Sequence, residues 1–416
     1  MTTPAPAAPS PLPKAGWALA VLTAMNLLNY IDRYVPSAVK EPLKADLQLT
    51  DAQTAWPLTA FVVVYMIASP LFGSLADRFA RRNVIAAGVA LWSLATAAAA
   101  WAGGFWTFLL ARALVGVGEA AYATLTPALL SDFYPPQRRN QVLTWFYAAI
   151  PVGAALGFGL GGWLGQHYGW RAAFLACGLP GLLAAVAVLS VPEPARGTFD
   201  RDGAGQALPW KLAVPQLLRN PTYLYAVAGY VLVTFAAGAM ADWFPAFLAR
   251  ERGLDLAEAG RVVGTATVIG GLLGTLGGGW LGDRLAALGL KNPYFLLSWT
   301  TIAGAAAMAC AALWVRDATA LFWSIAAAQA LLWCYNGPIN AILVNCVPSG
   351  LRVRAFSLSI LAIHLFGDAI SPPIVGAIAD ATGSLPLAVT LIPIALVAGA
   401  AVWWLGWQRI QPQQAG

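Results

Sequence analysis

Along the chain, apolar stretches of about twenty residues alternate with short breaks rich in charge, Gly and Pro. A hydrocarbon core of about 30 Å takes about twenty helical residues to cross. Twelve stretches reach that length, over 17–36, 54–76, 83–102, 105–131, 140–163 and 170–191, then 221–248, 260–281, 294–314, 318–346, 355–379 and 385–407. The pattern predicts an all-α, polytopic membrane protein with twelve transmembrane helices in two six-helix halves.

Composition agrees with the pattern. Of 416 residues, 59% are hydrophobic and 10% charged, where a soluble domain is about a quarter charged. The stretch "TTPAPAAPSPLPK" before the first span is too short and irregular to fold, and that span is too long for a signal-peptide core, so it is read as uncleaved. Cys177, Cys310, Cys334 and Cys346 all lie within apolar spans, without disulfide or metal spacing. Neither a metal nor another cofactor is implied.

The net charge of +6 forms no basic stripe and does not point to nucleic acid. Apart from Arg33 and Arg112, 15 Lys and Arg residues fall on the side of the N-terminus and 7 on the opposite side. The positive-inside rule then places both termini in the cytoplasm of a cell (inner) membrane.

The longest polar break, "PEPARGTFDRDGAGQALPWKLAVPQLLRNP", divides the chain into 1–191, a central cytoplasmic loop 192–220, and 221–416. Three echoes link the halves. Gly-x-x-x-Asp-Arg occurs at Gly73–Arg78 and Gly279–Arg284, Pro135 and Arg139 match Pro348 and Arg352, and Gly162 to Gly169 matches Gly376 to Gly383. Parallel repeats of this kind place a binding site between the halves, near the midplane, opened alternately to each side. Asp77, Arg78, Asp283 and Arg284 then sit at the cytoplasmic mouth. They either hold that gate shut or merely mark topology.

The motif "GSLADRFARRN" resembles the loop signature of the major facilitator superfamily, departing from it at Ala80, where Gly is usual. "GAALGFGLGG" resembles that superfamily's helix-5 glycine pattern, with Phe158 in place of Pro. "NLLNYIDRY", "RALVGVGEAAYATLTPALLSDFYPPQRR", "FYAAIPVGAALGF" and "VPEPARG" are similar to the spinster family of lipid transporters. The resemblance implies a major facilitator fold, an amphiphilic lysolipid-like or sphingolipid-like substrate, and proton linkage.

Ionisable groups at membrane depth cost about 2.5–3.5 kcal/mol each even on a lenient scale, so they pair or face a cavity. The first half holds Asp32, Arg33, Arg112 and Glu119 at such depth. At about 1.5 Å per residue, Asp32 lies about 22 Å above Trp17 and Arg112 about 10 Å below Phe105, at similar heights. Glu119 falls nearer the cytoplasm, with no basic residue level with it. Asp32 and Glu119 are the candidate proton carriers, and Arg33 and Arg112 the candidate partners of an anionic phosphate, which guanidinium binds bidentately. A static Asp–Arg clamp between the first and fourth spans is the alternative.

In the second half, Gln329, Asn336 and Asn340 share one helical face, either lining the cavity or bonding between helices. His364 and Asp368, four residues apart, form a relay, bind a headgroup, or simply pair. His167 and Asp242 lie at outer span ends and are expected at the interface. No nucleophile elbow or phosphate loop occurs, so the chain is not read as an enzyme. The expectation is a monomeric proton-coupled carrier of a lipid-like amphiphile. A small organic-anion or drug carrier is the nearest alternative, and a receptor or lipid enzyme a more distant one.

Overall fold

The computed structural model describes residues 11–76, 78–196, 198–199 and 209–410. The Pro/Ala-rich tail through residue 10, Asp77, residues 197 and 200–208 of the central loop, and residues 411–416 lie outside them. The twelve spans appear as α1 (Ala15–Ala38), α2 (Asp51–Ala76), α3 (Arg81–Ala99), α4 (Phe105–Phe133), α5 (Pro136–Tyr168) and α6 (Trp170–Leu189). After the central loop come α7 (Pro221–Arg252), α8 (Leu256–Ala287), α9 (Pro293–Trp314), α10 (Ala318–Asn345), α11 (Leu351–Thr382) and α12 (Leu385–Arg409). Eleven are long and apolar enough to cross a membrane. The twelfth, α1, has 24 residues, about 36 Å at the helical rise, and its composition is made more polar by Asn26, Asn29, Asp32 and Arg33.

Within the first half α1 packs on α5, and α4 on both α2 and α3; in the second, α12 packs on α7 and α9, and α8 on α10. Each half buries its own apolar core. The "GVG" of α4 explains how that helix nests between two others. A Cβ at Gly116 would lie 3.2 Å from the Tyr65 backbone nitrogen of α2, and one at Gly118 would lie 2.7 Å from the Trp92 nitrogen of α3. The glycines at 153 and 157 do the same for α5 against Leu27, Tyr30 and Ile31 of α1. Small residues allow such close crossings.

The internal echoes have matching structural roles. Arg139 Nε donates to the Ser131 carbonyl and Arg352 Nε to the Val344 carbonyl, each eight residues back at the end of the preceding helix. Those carbonyls belong to a last turn with no helical partner of its own. Gly169 and Gly383 end α5 and α11 with φ of 83° and 67°, a region that suits glycine.

Four local features depart from the expected pattern. A short helix, Lys40–Leu47, follows α1, and another, Trp210–Leu218, lies inside the stretch expected to be loop. The span 318–346 breaks between Trp333 and Asn336. Pro338 lacks the N–H that would bond the Cys334 carbonyl, which releases the helix there. Finally, α11 contains a π-helical turn over His364–Asp368, with Gly367 outside helical φ/ψ.

Candidate functional site

A cavity of about 300 Å³ lies between the halves. It is lined from the first half by α1, α2, α4 and α5, and from the second by α7 and α11. Arg33, Tyr30 and Asn29 face it from α1, and His364 and Asp368 from α11.

Two ion pairs hold the four charges that the first half was expected to carry at membrane depth. Arg112 Nη1 lies 3.1 Å from Asp32 Oδ1, and Thr96 Oγ1 donates to Asp32 Oδ2 at 2.6 Å. Asp32 is therefore bonded from both α3 and α4, and neither it nor Arg112 lines the cavity. Arg33 Nη2 lies 2.6 Å from Glu119 Oε2. This corrects the expectation that no basic residue is level with Glu119. Side chains lean toward the N-terminus of their helix. Because α1 and α4 run in opposite directions, Arg33 and Glu119 lean toward each other across the gap left by counting Cα heights.

The two pairs differ in how completely they are satisfied. Glu119 is fully buried, and its Oε1 has no hydrogen-bond partner among the described residues. Arg33 keeps 23% of its side chain exposed. Its guanidinium carbon lies 4.8 Å from the Tyr30 ring centroid and 4.9 Å from that of Phe61. The Arg112 guanidinium carbon lies 5.7 Å from the same Phe61 centroid. Aromatic faces attract such cations. Phe61 thus links the closed pair to the one that borders the cavity.

In the second half His364 Nδ1 lies 3.0 Å from both carboxylate oxygens of Asp368. The π-helical turn presents this pair at the cavity wall, and such turns often occur at functional sites. The break in α10 separates the polar residues expected on one face. Gln329 bonds Thr267 and Trp333 between and along helices, and Asn340 Nδ2 donates to the Asn336 carbonyl at 2.8 Å. Asn336 itself lines a second space, of about 510 Å³, bounded by α5, α8 and α10. This groove is mainly apolar, and it shares Tyr147 and Ile150 with the central cavity.

The end of the molecule opposite the termini, the far end, is closed across the halves. Asp242 of α7 is buried rather than interfacial, which corrects the expectation for it. Ser37 Oγ donates to it at 2.9 Å, and Lys40 pairs with its other oxygen. Arg250 grips Asp51 through both terminal nitrogens, at 2.8 and 2.5 Å, and Glu41 through Nε at 2.6 Å. Lys44 Nζ also reaches Asp51, at 2.6 Å. His167 lies at the end of α5, its Nδ1 2.9 Å from the Trp163 carbonyl oxygen.

Residues 22–372 match the Major Facilitator Superfamily. Protein spinster homolog 1 of Xenopus laevis is 32% identical over 391 residues, covering 86% of this chain and 72% of that protein. The chain belongs to the major facilitator superfamily, in its spinster branch. The probable sphingolipid transporter spinster homolog 1 of Arabidopsis thaliana is 28% identical over 437 residues, covering 93% and 87%. A crystal structure described as a bacterial homologue of the human lysosomal transporter Spinster, inward-facing and occupied, superposes with a TM-score of 0.84. It shares 22% identity and covers 98% of this chain and 100% of that one. This is a multi-pass membrane transporter, not an enzyme.

Of the transporter's expected gate residues, Asp77 lies outside the described residues, while Arg78, Asp283 and Arg284 are exposed. Asp283 bonds the Tyr294 hydroxyl, and the Arg284 guanidinium lies 5.7 Å from the Trp280 ring centroid. Of the charged residues that bridge the halves, Lys40, Asp51 and Arg250 were not singled out from the sequence, and Asp242 was expected at the interface. Lys40, Lys44 and Asp51 crowd one short loop between two spans, and that clustering was the available signal.

Proposed function

We propose that this transporter moves a lysolipid-like or sphingolipid-like amphiphile across the membrane by alternating access, coupled to protons. The observation that carries the proposal is a cavity between the halves lined by Arg33, whose ion-pair partner is the buried Glu119, sharing Tyr147 and Ile150 of its wall with an apolar groove between α5, α8 and α10. A lipid needs both: a charged place for the headgroup and a flank open toward acyl chains. A small organic anion or drug would need the polar part alone.

In this mechanism an anionic group entering the cavity competes with Glu119 for Arg33. Guanidinium suits phosphate and carboxylate alike. Glu119, left buried with one oxygen already unbonded, takes a proton from the water-filled side, and its charge is neutralised. Release of the anionic group returns Arg33 to Glu119 and expels the proton. Asp32, held by Arg112 and Thr96, keeps α1 against α3 and α4 during this exchange, with a coupling role secondary to that of Glu119. Asn336, Asn340, His364 and Asp368 contact the substrate from the second half.

The units that rock are 1–191 and 221–416, joined by 192–220. Charge asymmetry supports a cell (inner) membrane location with cytoplasmic termini, and thus an inward-facing state. Asp77, Arg78, Asp283 and Arg284 close the cytoplasmic mouth in the opposite state, and the chain works as a monomer. Flux of a lysophospholipid, a sphingoid phosphate and a small organic anion into proteoliposomes, with and without a pH gradient, tests the function. The amphiphiles should move and respond to the gradient; transport of the small anion alone would overturn the lipid reading.

A further inference from the structure

The third internal echo, Gly162 to Gly169 against Gly376 to Gly383, marks two equivalent cross-half contacts at the far end. Gly376 of α11 lies where a Cβ would come within 2.7 Å of the Ala52 backbone at the start of α2. Four residues on, Asp380 accepts hydrogen bonds from the Asp51 and Ala52 N–H groups at 2.8 and 2.9 Å. Gly162 of α5 meets the Leu256 backbone at the start of α8, its Cβ position 3.1 Å from the Leu256 carbonyl carbon. Four residues on, Gln166 Oε1 accepts from the Ala257 N–H at 2.9 Å. In each case a glycine admits the opposing helix start, and an acceptor one turn later takes N–H groups that the helix itself leaves free.

We propose that Asp380 and Gln166 are twin latches that hold the far end closed, and that their release is part of the change in access. The inference rests on the alternation proposed above. The two acceptors differ because their surroundings differ. Beside Gln166 stands Asp255, which already caps α8 through Glu258 N–H and accepts a hydrogen bond from Gln166. A carboxylate at 166 would face that charge. Beside Asp380 the cap of α2 involves neutral Thr50, and Asp51 is neutralised by Arg250 and Lys44. A carboxylate is therefore tolerated there and gains from the positive helix end.

Spin labels at Gly103→Cys and Arg316→Cys, on exposed far-end turns of the two halves, report the opening in a background with the four native cysteines replaced by serine. The full-length protein in nanodiscs is measured by pulsed dipolar spectroscopy without substrate or pH gradient. Asp380→Ala should raise the ratio of separated to closed populations about tenfold and Gln166→Ala about threefold, since Asp380 caps two N–H groups and Gln166 one. Gln166→Glu should also raise it, and the milder Asp380→Asn should fall between wild type and Asp380→Ala. Size-exclusion profiles matching wild type establish that the variants fold. Two populations that ignore every latch variant overturn the latches while leaving alternation intact. A single closed distribution in all variants overturns both.

Discussion

The two ends of the molecule use charge differently. At the far end Lys40, Arg250 and Asp380 each reach from one half to the other. At the end carrying the termini, Arg81 of α3 pairs with Asp132 of α4 at 2.5 Å and with Glu193, the second residue of the central loop, at 2.8 Å. Asn220 there donates to the Cys346 carbonyl at 2.7 Å, both after most of that loop. The seam of α5 and α8 repeats the contrast along its length. It is tight from Gly162 past Gly264, which abuts the Ala155 backbone, and parts into the apolar groove beyond Pro151 and Gly271. Charge that bridges the halves selects a conformational state, whereas charge kept inside one half makes that half rigid.

The largest effect expected is on rigidity within a half. Arg112→Ala leaves Asp32 buried without its cation, and breaking a buried pair costs about 3–5 kcal/mol. The unfolding temperature in detergent, followed by tryptophan fluorescence, should fall by many degrees, while the balance of open and closed far ends in the surviving folded protein should hardly move. Asp242→Ala should do the reverse. It frees Lys40 and Ser37, and should raise the far-end-open population by about tenfold or more, a change of roughly 1.4 kcal/mol, with a smaller loss of unfolding temperature.

Smaller effects come from exposed residues. Arg78→Ala with Arg284→Ala should change the stability of this state within about 0.5 kcal/mol, yet lengthen the distance between the halves at the terminal end when the far end is open. The smallest change concerns Asp46, whose carboxyl is held below the usual range chiefly by its hydrogen bond from Arg171. A lowered carboxylate pKa contributes stability above the unfolded value and loses it as pH falls through the folded one. Both groups are well exposed, so Arg171→Ala should lower the unfolding temperature only slightly, and evenly, between pH 5 and 8, and the difference from wild type should vanish in acid.

Much of this architecture was legible because membrane depth fixes span length, and the ends of most helices fall within a few residues of the apolar runs. The breaks were not, since the π-helical turn at His364–Asp368 and the interruption before Asn336 depend on local backbone bonding rather than on hydropathy. The pairing of Asp32 with Arg112 followed from counting heights. That of Arg33 with Glu119 did not, because counting Cα positions ignores the opposite lean of side chains on antiparallel helices. Asp242 was misplaced at the interface because hydropathy does not reveal which span ends the opposite half covers. The echoed glycines at 162 and 376 were visible as a repeat, while their partners, Leu256 and Ala52, belong to the other half and could be found only in three dimensions.

Competition for Arg33 between Glu119 and the substrate is the central claim. Proton uptake by the purified transporter in weakly buffered detergent, on addition of a lysophospholipid, tests it most directly. Wild type should take up protons in a stoichiometric, saturable manner, and Glu119→Gln should still bind the lipid, by tryptophan fluorescence, without taking up any. Equal uptake by both proteins, or lipid binding by wild type with no uptake, would contradict it.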